Sequence, residues 1–232
     1  MIYFRGCVVR EKLPEIEKII NQILDKSHIN YSILDNEECC GSFLLRTGFR
    51  DDALEVMKNT LKDLEGKKIL VSCAGCYKTL KNDYKELLGV EVDVIHTSQL
   101  FGELIKEKRL KPDKLSIKAC YHDPCHLGRH CGEYEAPREV LGSIVNLIEM
   151  ENIKENSQCC GAGGGVKSAY PELALKLGHK RIDEAFDADA DILVTSCSFC
   201  LLNLQNACLN VKSKHGLKVM DLSEILWWAM SE

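Results

Sequence analysis

The sequence predicts an α/β protein of two tandem, related domains, each on a mostly parallel sheet, pseudo-twofold related, with metal-ligating cysteines at strand carboxyl ends. Three observations predict it. The tripeptide Cys-Cys-Gly occurs at 39–41 and again at 159–161. Each copy has one cysteine upstream, Cys7 or Cys125, and a Cys-x-x-Cys downstream, Cys73/Cys76 or Cys197/Cys200. These landmarks are offset by 118, 120 and 124 residues, so a unit of roughly half the chain is repeated. Secondly, short apolar runs alternate with amphipathic stretches, the order that gives parallel strands joined by crossover helices. Thirdly, the motif cysteines stand just past such runs or at the start of the next helix, where ligands collect in parallel sheets.

In chain order, Ile2-Tyr3-Phe4 is an apolar run ending at Cys7, and after Pro14 the residues Ile16, Ile19, Ile20 and Ile23 recur at helical spacing. Tyr31 to Leu34 reads as a second strand delivering Cys39-Cys40-Gly41. Asp52 to Leu64 is the next amphipathic helix, with Ala53, Val56, Met57, Leu61 and Leu64 on one face. Ile69 to Ser72 is a buried strand ending at Cys73, and Cys76 opens a helix through Leu88. Val92 to His96 and a helix capped by Ser98 close the unit.

Lys106 to Lys114 is charged, contains Pro112, and reads as the linker between a first domain at 1–108 and a second at 114–232. The second half repeats the order: a strand from Lys114 to Tyr121 before Cys125, a short helix at Pro137 to Leu141 and a strand at Ile144 to Glu149. A helix at Pro171 to Phe186, a strand at Asp191 to Ser196 before Cys197 and a helix at Cys200 to Cys208 follow. Residues without metal-binding capacity also match, Ile69-Leu70-Val71 with Ile192-Leu193-Val194 and Ser98-Gln99-Leu100 with Ser223-Glu224-Ile225.

Thirty basic against thirty-five acidic side chains give a formal charge of −5, and without a basic run nothing attracts nucleic acid. The charged first twenty residues do not suit a signal peptide, and no stretch suits direct membrane insertion. The expectation is a cytoplasmic protein, where thirteen cysteines serve metal or redox chemistry rather than structural disulfides.

Structural zinc needs four ligands in a closed tetrahedron, and each half offers five cysteines. Adjacent residues leave an extended backbone in opposite directions, so neighbouring cysteines suit different irons of one cluster better than one zinc. Iron–sulfur is the favoured reading, with zinc and a dithiol redox site as alternatives. The run Gly161-Ala162-Gly163-Gly164-Gly165 lacks the lysine–hydroxyl pair of a nucleotide loop; close backbone approach with N–H groups free to donate is the expected role.

His122, His126 and His130 surround Cys125, and substrate or proton handling is expected of them before ligation. Arg46 and Lys167 follow their cysteine pairs at similar distances and are candidates for holding an anionic substrate. Cys120, Cys131 and Cys208 fall outside the repeat. Cys208 is expected to be an inert buried thiol, and Cys131 is kept as a reserve ligand.

The pattern resembles the cysteine-rich CCG domains of heterodisulfide reductase, as in its B-type polypeptide and the corresponding part of its D-type polypeptide. Tyr121 to Arg129, Cys159 to Gly165 and Thr195 to Cys200 are especially similar to the family's second domain. The resemblance implies two noncubane [4Fe-4S] clusters, one on Cys7, Cys39, Cys40, Cys73 and Cys76, the other on Cys125, Cys159, Cys160, Cys197 and Cys200. It implies an oxidoreductase subunit that reduces a disulfide, one electron from each cluster to each sulfur. No ferredoxin segment is fused to this sequence, so a separate ferredoxin-like [4Fe-4S] donor subunit and a flavin-containing subunit are the expected partners. An electron-transfer subunit of a lactate, glycolate or glycerol-phosphate dehydrogenase is the alternative.

Overall fold

The computed structural model describes residues 1–209 and 216–230. The first half runs β1 (Ile2–Phe4), α1 (Cys7–Lys12), α2 (Pro14–Lys26), α3 (Ser42–Arg46), α4 (Arg50–Leu64) and β2 (Ile69–Val71). It continues with α5 (Ala74–Lys78), a π turn at Thr79–Asp83, α6 (Tyr84–Leu88), β3 (Val94–His96) and α7 (Thr97–Lys106). The second half runs β4 (Lys118–His122), α8 (Glu135–Ile144), β5 (Asn146–Leu147), α9 (Val166–Ala169) and α10 (Pro171–Asp187). Then come β6 (Ile192–Thr195), α11 (Ser198–Leu209), β7 (Lys218–Asp221) and α12 (Leu222–Ala229). None of the described helices is long and apolar enough to cross a membrane.

The strands form two parallel sheets, ordered β1-β2-β3 and β5-β4-β6-β7. Phe4 pairs with Val71 and Val71 with His96; in the other sheet His122 pairs with Thr195 and Thr195 with Asp221. The predicted tandem α/β architecture is therefore present down to register. Strands β1 and β2 are unbroken apolar runs, as expected of strands buried on both faces. Tyr3, Phe4, Leu70 and Val71 in one sheet, and Ala119, Tyr121, Leu193 and Val194 in the other, are at most 1% exposed. Pro14 starts α2, and the inward Ile20, Ile23 and Leu24 are fully buried, each burial stabilising by about 1.5–3 kcal/mol.

Several expected boundaries move. The Tyr31 to Leu34 strand is a single bridge, Ser32 beside Ile2, and its counterpart β5 has two residues. These are edge segments, paired on one side only, and the chain leaves them at once for the cysteine loop. Strand β4 begins at Lys118 because Leu115 N–H is taken by Ile144 O at the end of α8. Helix α11 starts two residues earlier than predicted, at Ser198. The helix expected from Cys76 to Leu88 begins at Ala74 and widens into the π turn, which carries the buried Asp83 to Arg46 (2.6 Å) and to Lys78. The cap of α7 is His96 rather than Ser98: its Nδ1 accepts from Ser98 N–H at 3.2 Å while Gln99 Oε1 accepts His96 N–H. Asp221 and Glu224 build the same reciprocal cap on α12.

The charged segment between the halves is partly packed. Leu110 and Leu115 are buried, and Asp113 N–H donates to Ala229 O at 2.7 Å. Helix α12 lies against α2 of the first half and α8 of the second, and α7 lies against α8. The halves consequently share one continuous apolar core.

Candidate metal centre

Each sheet delivers its cysteines by the same local devices. Cys7 opens α1 just past β1; Cys73 and Cys197 stand just past β2 and β6, ahead of α5 and α11, which bring Cys76 and Cys200 one turn on. At the adjacent pairs, Gly41 (φ 85°) and Gly161 (φ 89°) adopt left-handed backbone. A Cβ there would lie 2.7 Å from Met57 Cγ or 2.5 Å from Ala174 O, so only glycine lets the chain fold back so closely on α4 and α10. The resulting hooks turn Gly41 N–H towards Cys39 Sγ (3.5 Å) and Gly161 N–H towards Cys159 Sγ (3.3 Å).

The loops are pinned by buried carboxylates that carry no sequence signature. Glu37 accepts the N–H groups of Arg5 (2.9 Å) and Gly6 (2.8 Å), anchoring the approach to Cys7. In the second half Asp123 takes a two-pronged bond from Arg138 (2.6 and 2.9 Å) and accepts Lys154 N–H at 2.9 Å, holding the approach to Cys125.

All ten repeat cysteines line one open cavity, together with Arg46, His126 and the backbone of Gly163 and Gly164. Cys120, Cys131 and Cys208 are not among the lining residues. Burial in β4 pushes the Cys120 thiol up to about 12. Cys208 donates to Leu217 O at 3.3 Å, and Cys131 is half-buried beside Asn82, away from the cavity.

The thiols form a nearly continuous file: Cys7, Cys39, Cys40, Cys76, Cys73, then Cys197, Cys200, Cys160 and Cys159, each a near neighbour of the next. Cys125 lies beside Cys160. The file crosses from one half to the other at Cys73 and Cys197. Thiol donors hold Cys39 (Cys40 foremost, down to about 3), Cys73 (Cys197 foremost) and Cys160 (Cys159 foremost) well below the usual thiol range. Cys7, Cys40 and Cys76 are pushed up, first by those same contacts and then by burial.

A crowd of partly buried thiolates requires a compensating cation. Arg46, the cation among the lining residues, is already paired with Asp83. None of the cysteines is in a disulfide. The donor set thus fits a thiolate-bound metal group. Cys39 and Cys40 do not diverge to opposite sides as an extended chain would send them; the glycine hook turns both into the cavity, one towards Cys7 and the other towards Cys76.

The histidines separate into three settings. His122, at the end of β4, is 1% exposed and has a ring nitrogen within 4.8 Å of both Cys160 Sγ and Cys200 Sγ. His126 lines the cavity, with burial lowering its value to about 4, and His130 packs edge-on against it at 5.3 Å between ring centroids. Lys167, expected at the anion site, stands on α9 outside the cavity lining, whereas Arg46 is within it.

Fold and site together define a duplicated cysteine-rich α/β protein with its cysteines gathered between the repeats. The chain belongs to the CCG cysteine-rich domain family, whose model matches residues 1–81 and 119–205. It is 41% identical over 218 residues to the D-type polypeptide of the dihydromethanophenazine:CoB–CoM heterodisulfide reductase of Methanosarcina acetivorans, covering 89% of this chain and 53% of that protein. It is 35% identical to the B-type polypeptide of the fumarate reductase (CoM/CoB) of Methanothermobacter marburgensis, covering 99% and 46%. It is 34% identical to the EtfAB:quinone oxidoreductase of Syntrophomonas wolfei, covering 99% and 34%. The chain spans about half the length, or less, of these relatives.

Proposed function

We propose that this chain is an iron–sulfur redox subunit that reduces a disulfide, with two noncubane [4Fe-4S] clusters. Cys7, Cys39, Cys40, Cys73 and Cys76 would hold one, and Cys125, Cys159, Cys160, Cys197 and Cys200 the other. The observation that carries the reading is the thiol file through a single cavity, in which two complete five-cysteine sets meet at Cys73 and Cys197. Similarity to the heterodisulfide reductase polypeptides supports the same chemistry.

When bound, the clusters would supply one electron each to the two sulfurs of the substrate. The protein's own part is positional. The glycine hooks and the helix starts at α1, α5 and α11 hold the thiolates in place, and backbone N–H groups of Gly41 and Gly161 face sulfur. Phe43 and Phe199 add apolar surface to the cavity lining. Electrons would arrive from a ferredoxin-like [4Fe-4S] subunit and a flavin-containing subunit. We assign residues 1–108 and 114–232 as the two domains and propose a cytoplasmic location, which the many free cysteines support.

A second reading, an electron relay within a dehydrogenase-type complex, is favoured by the similarity to the EtfAB:quinone oxidoreductase. The experiment that separates them is EPR of the oxidised, anaerobically purified protein titrated with small thiols, with disulfide reduction assayed using a reduced dye. A thiol-induced signal with turnover supports cleavage. A silent spectrum without turnover leaves the relay.

A further inference from the structure

The two halves match in fold, register and cysteine placement, and among their differences is the residue that ends the strand ahead of the first cysteine of each set. The last residue of β4 is His122, paired with Thr195; the last residue of β1, in the same register, is Phe4, paired with Val71. Both side chains are buried, at 1% and 0% exposure. The first half therefore has an apolar ring at this place in its sheet and the second has an imidazole.

Neither ring nitrogen of His122 has a hydrogen-bond partner among the described residues. Leaving such a group unsatisfied in a core is costly, a penalty that packing alone does not require, since phenylalanine fills the equivalent place. One of its nitrogens lies within 4.8 Å of both Cys160 Sγ and Cys200 Sγ.

We infer that His122 is a positioning residue that donates an N–H hydrogen bond to sulfur at the second site and makes that site the more readily reduced of the two. The inference rests on the iron–sulfur reading above. Reduction adds negative charge to a cluster, and an N–H aimed at its sulfurs stabilises the reduced form more than the oxidised one, raising the potential. Phe4 offers no such donor. An electron shared between the sites thus resides on the Cys125/Cys160 side, and the Cys7/Cys40 side is the first to give it up.

The test is a dithionite titration followed by EPR on the anaerobic protein, with each signal assigned by its loss in Cys40→Ser or Cys160→Ser. In the parent, the Cys160-dependent signal should have the higher midpoint. His122→Phe should shift that midpoint downward and leave the other in place; His122→Gln, which keeps an N–H donor, should restore most of the shift. Phe4→His in the otherwise unchanged protein should raise the Cys40-dependent midpoint, a reciprocal test that survives even if His122→Phe folds poorly. Unchanged midpoints in fully loaded His122→Phe would overturn the inference. Loss of half the iron in that variant would also overturn it, by making His122 a ligand. A parent that binds no iron defeats the iron–sulfur reading itself, a result distinct from either.

Discussion

Cys73 and Cys197, the leading cysteines of the two Cys-x-x-Cys pairs, hold their thiols close together across the two halves, each buried just past the end of an equivalent strand. The contact joins two files of sulfur into one. Whatever occupies one set is therefore felt at the other.

The first expected outcome follows from that contact. Cys197→Ser should alter the EPR signals of both sites, whereas Cys7→Ser and Cys159→Ser, at the two ends of the file, should each alter one. The parent should carry about eight iron and about eight sulfide, two groups of four. Signals that vary independently in Cys197→Ser would show that the contact transmits nothing, and stoichiometric zinc without labile sulfide would end the iron–sulfur assignment.

Disulfide cleavage between the two sites requires both. Cys40→Ser and Cys160→Ser should each abolish disulfide reduction almost equally, because one damaged site leaves one sulfur without its electron. Full activity in either variant, with its altered cluster verified by iron analysis, would sink the two-site mechanism.

Glu37 secures the backbone that presents Cys7. Its replacement by alanine strands two buried N–H donors, at about 1–3 kcal/mol each, so Glu37→Ala should lose a few kcal/mol in anaerobic denaturant unfolding and lose iron selectively from the first site. Glu37→Gln, retaining one acceptor oxygen, should fall between. A variant as stable and as fully loaded as the parent would assign the anchoring elsewhere.

Asp221 is buried at the start of α12, and burial raises its carboxyl to about 7. In the unfolded chain the group ionises near 3.8, so the folded protein binds the extra proton between those values. Its contribution is fully present below about pH 4 and is lost as pH rises through about 7, an effect of up to about 4 kcal/mol at 1.36 kcal/mol per pH unit. Asp221→Asn keeps the cap on Ser223 N–H but cannot ionise; its thermal stability relative to the parent should improve from pH 5 to pH 8. A difference that does not change with pH would show that Asp221 stays ionised throughout.

Residues 1–108 expressed alone would expose the faces of α2 and α7 that pack on α12 and α8, and would open the cavity on one side. The fragment should be poorly loaded and oxygen-sensitive. A fragment with a full cluster and the parent's EPR signal would show that each half is self-sufficient.

By itself the sequence determined the repeat, the α/β class, the alternation of strands and helices and the separation of ten motif cysteines from Cys120, Cys131 and Cys208. These are local facts: apolar runs of strand length, helical periodicity, and residue types whose spacing survives duplication. Tertiary structure alone decided which groups meet. Glu37 reaches Arg5 and Gly6 across more than thirty residues, Asp123 reaches Arg138, and the π turn swings Asp83 to Arg46; none of these pairings leaves a periodic trace. The three histidines surround Cys125 in the sequence, but β4 ends at the buried His122 while the following turn packs His126 against His130. Lys167, matched with Arg46 by distance from its cysteine pair, lies outside the cavity lining because four further residues, Ala162 to Gly165, precede α9. The joining of the two cysteine sets at Cys73 and Cys197 depends on how the sheets face each other, and that is set by the shared core under α2, α8 and α12.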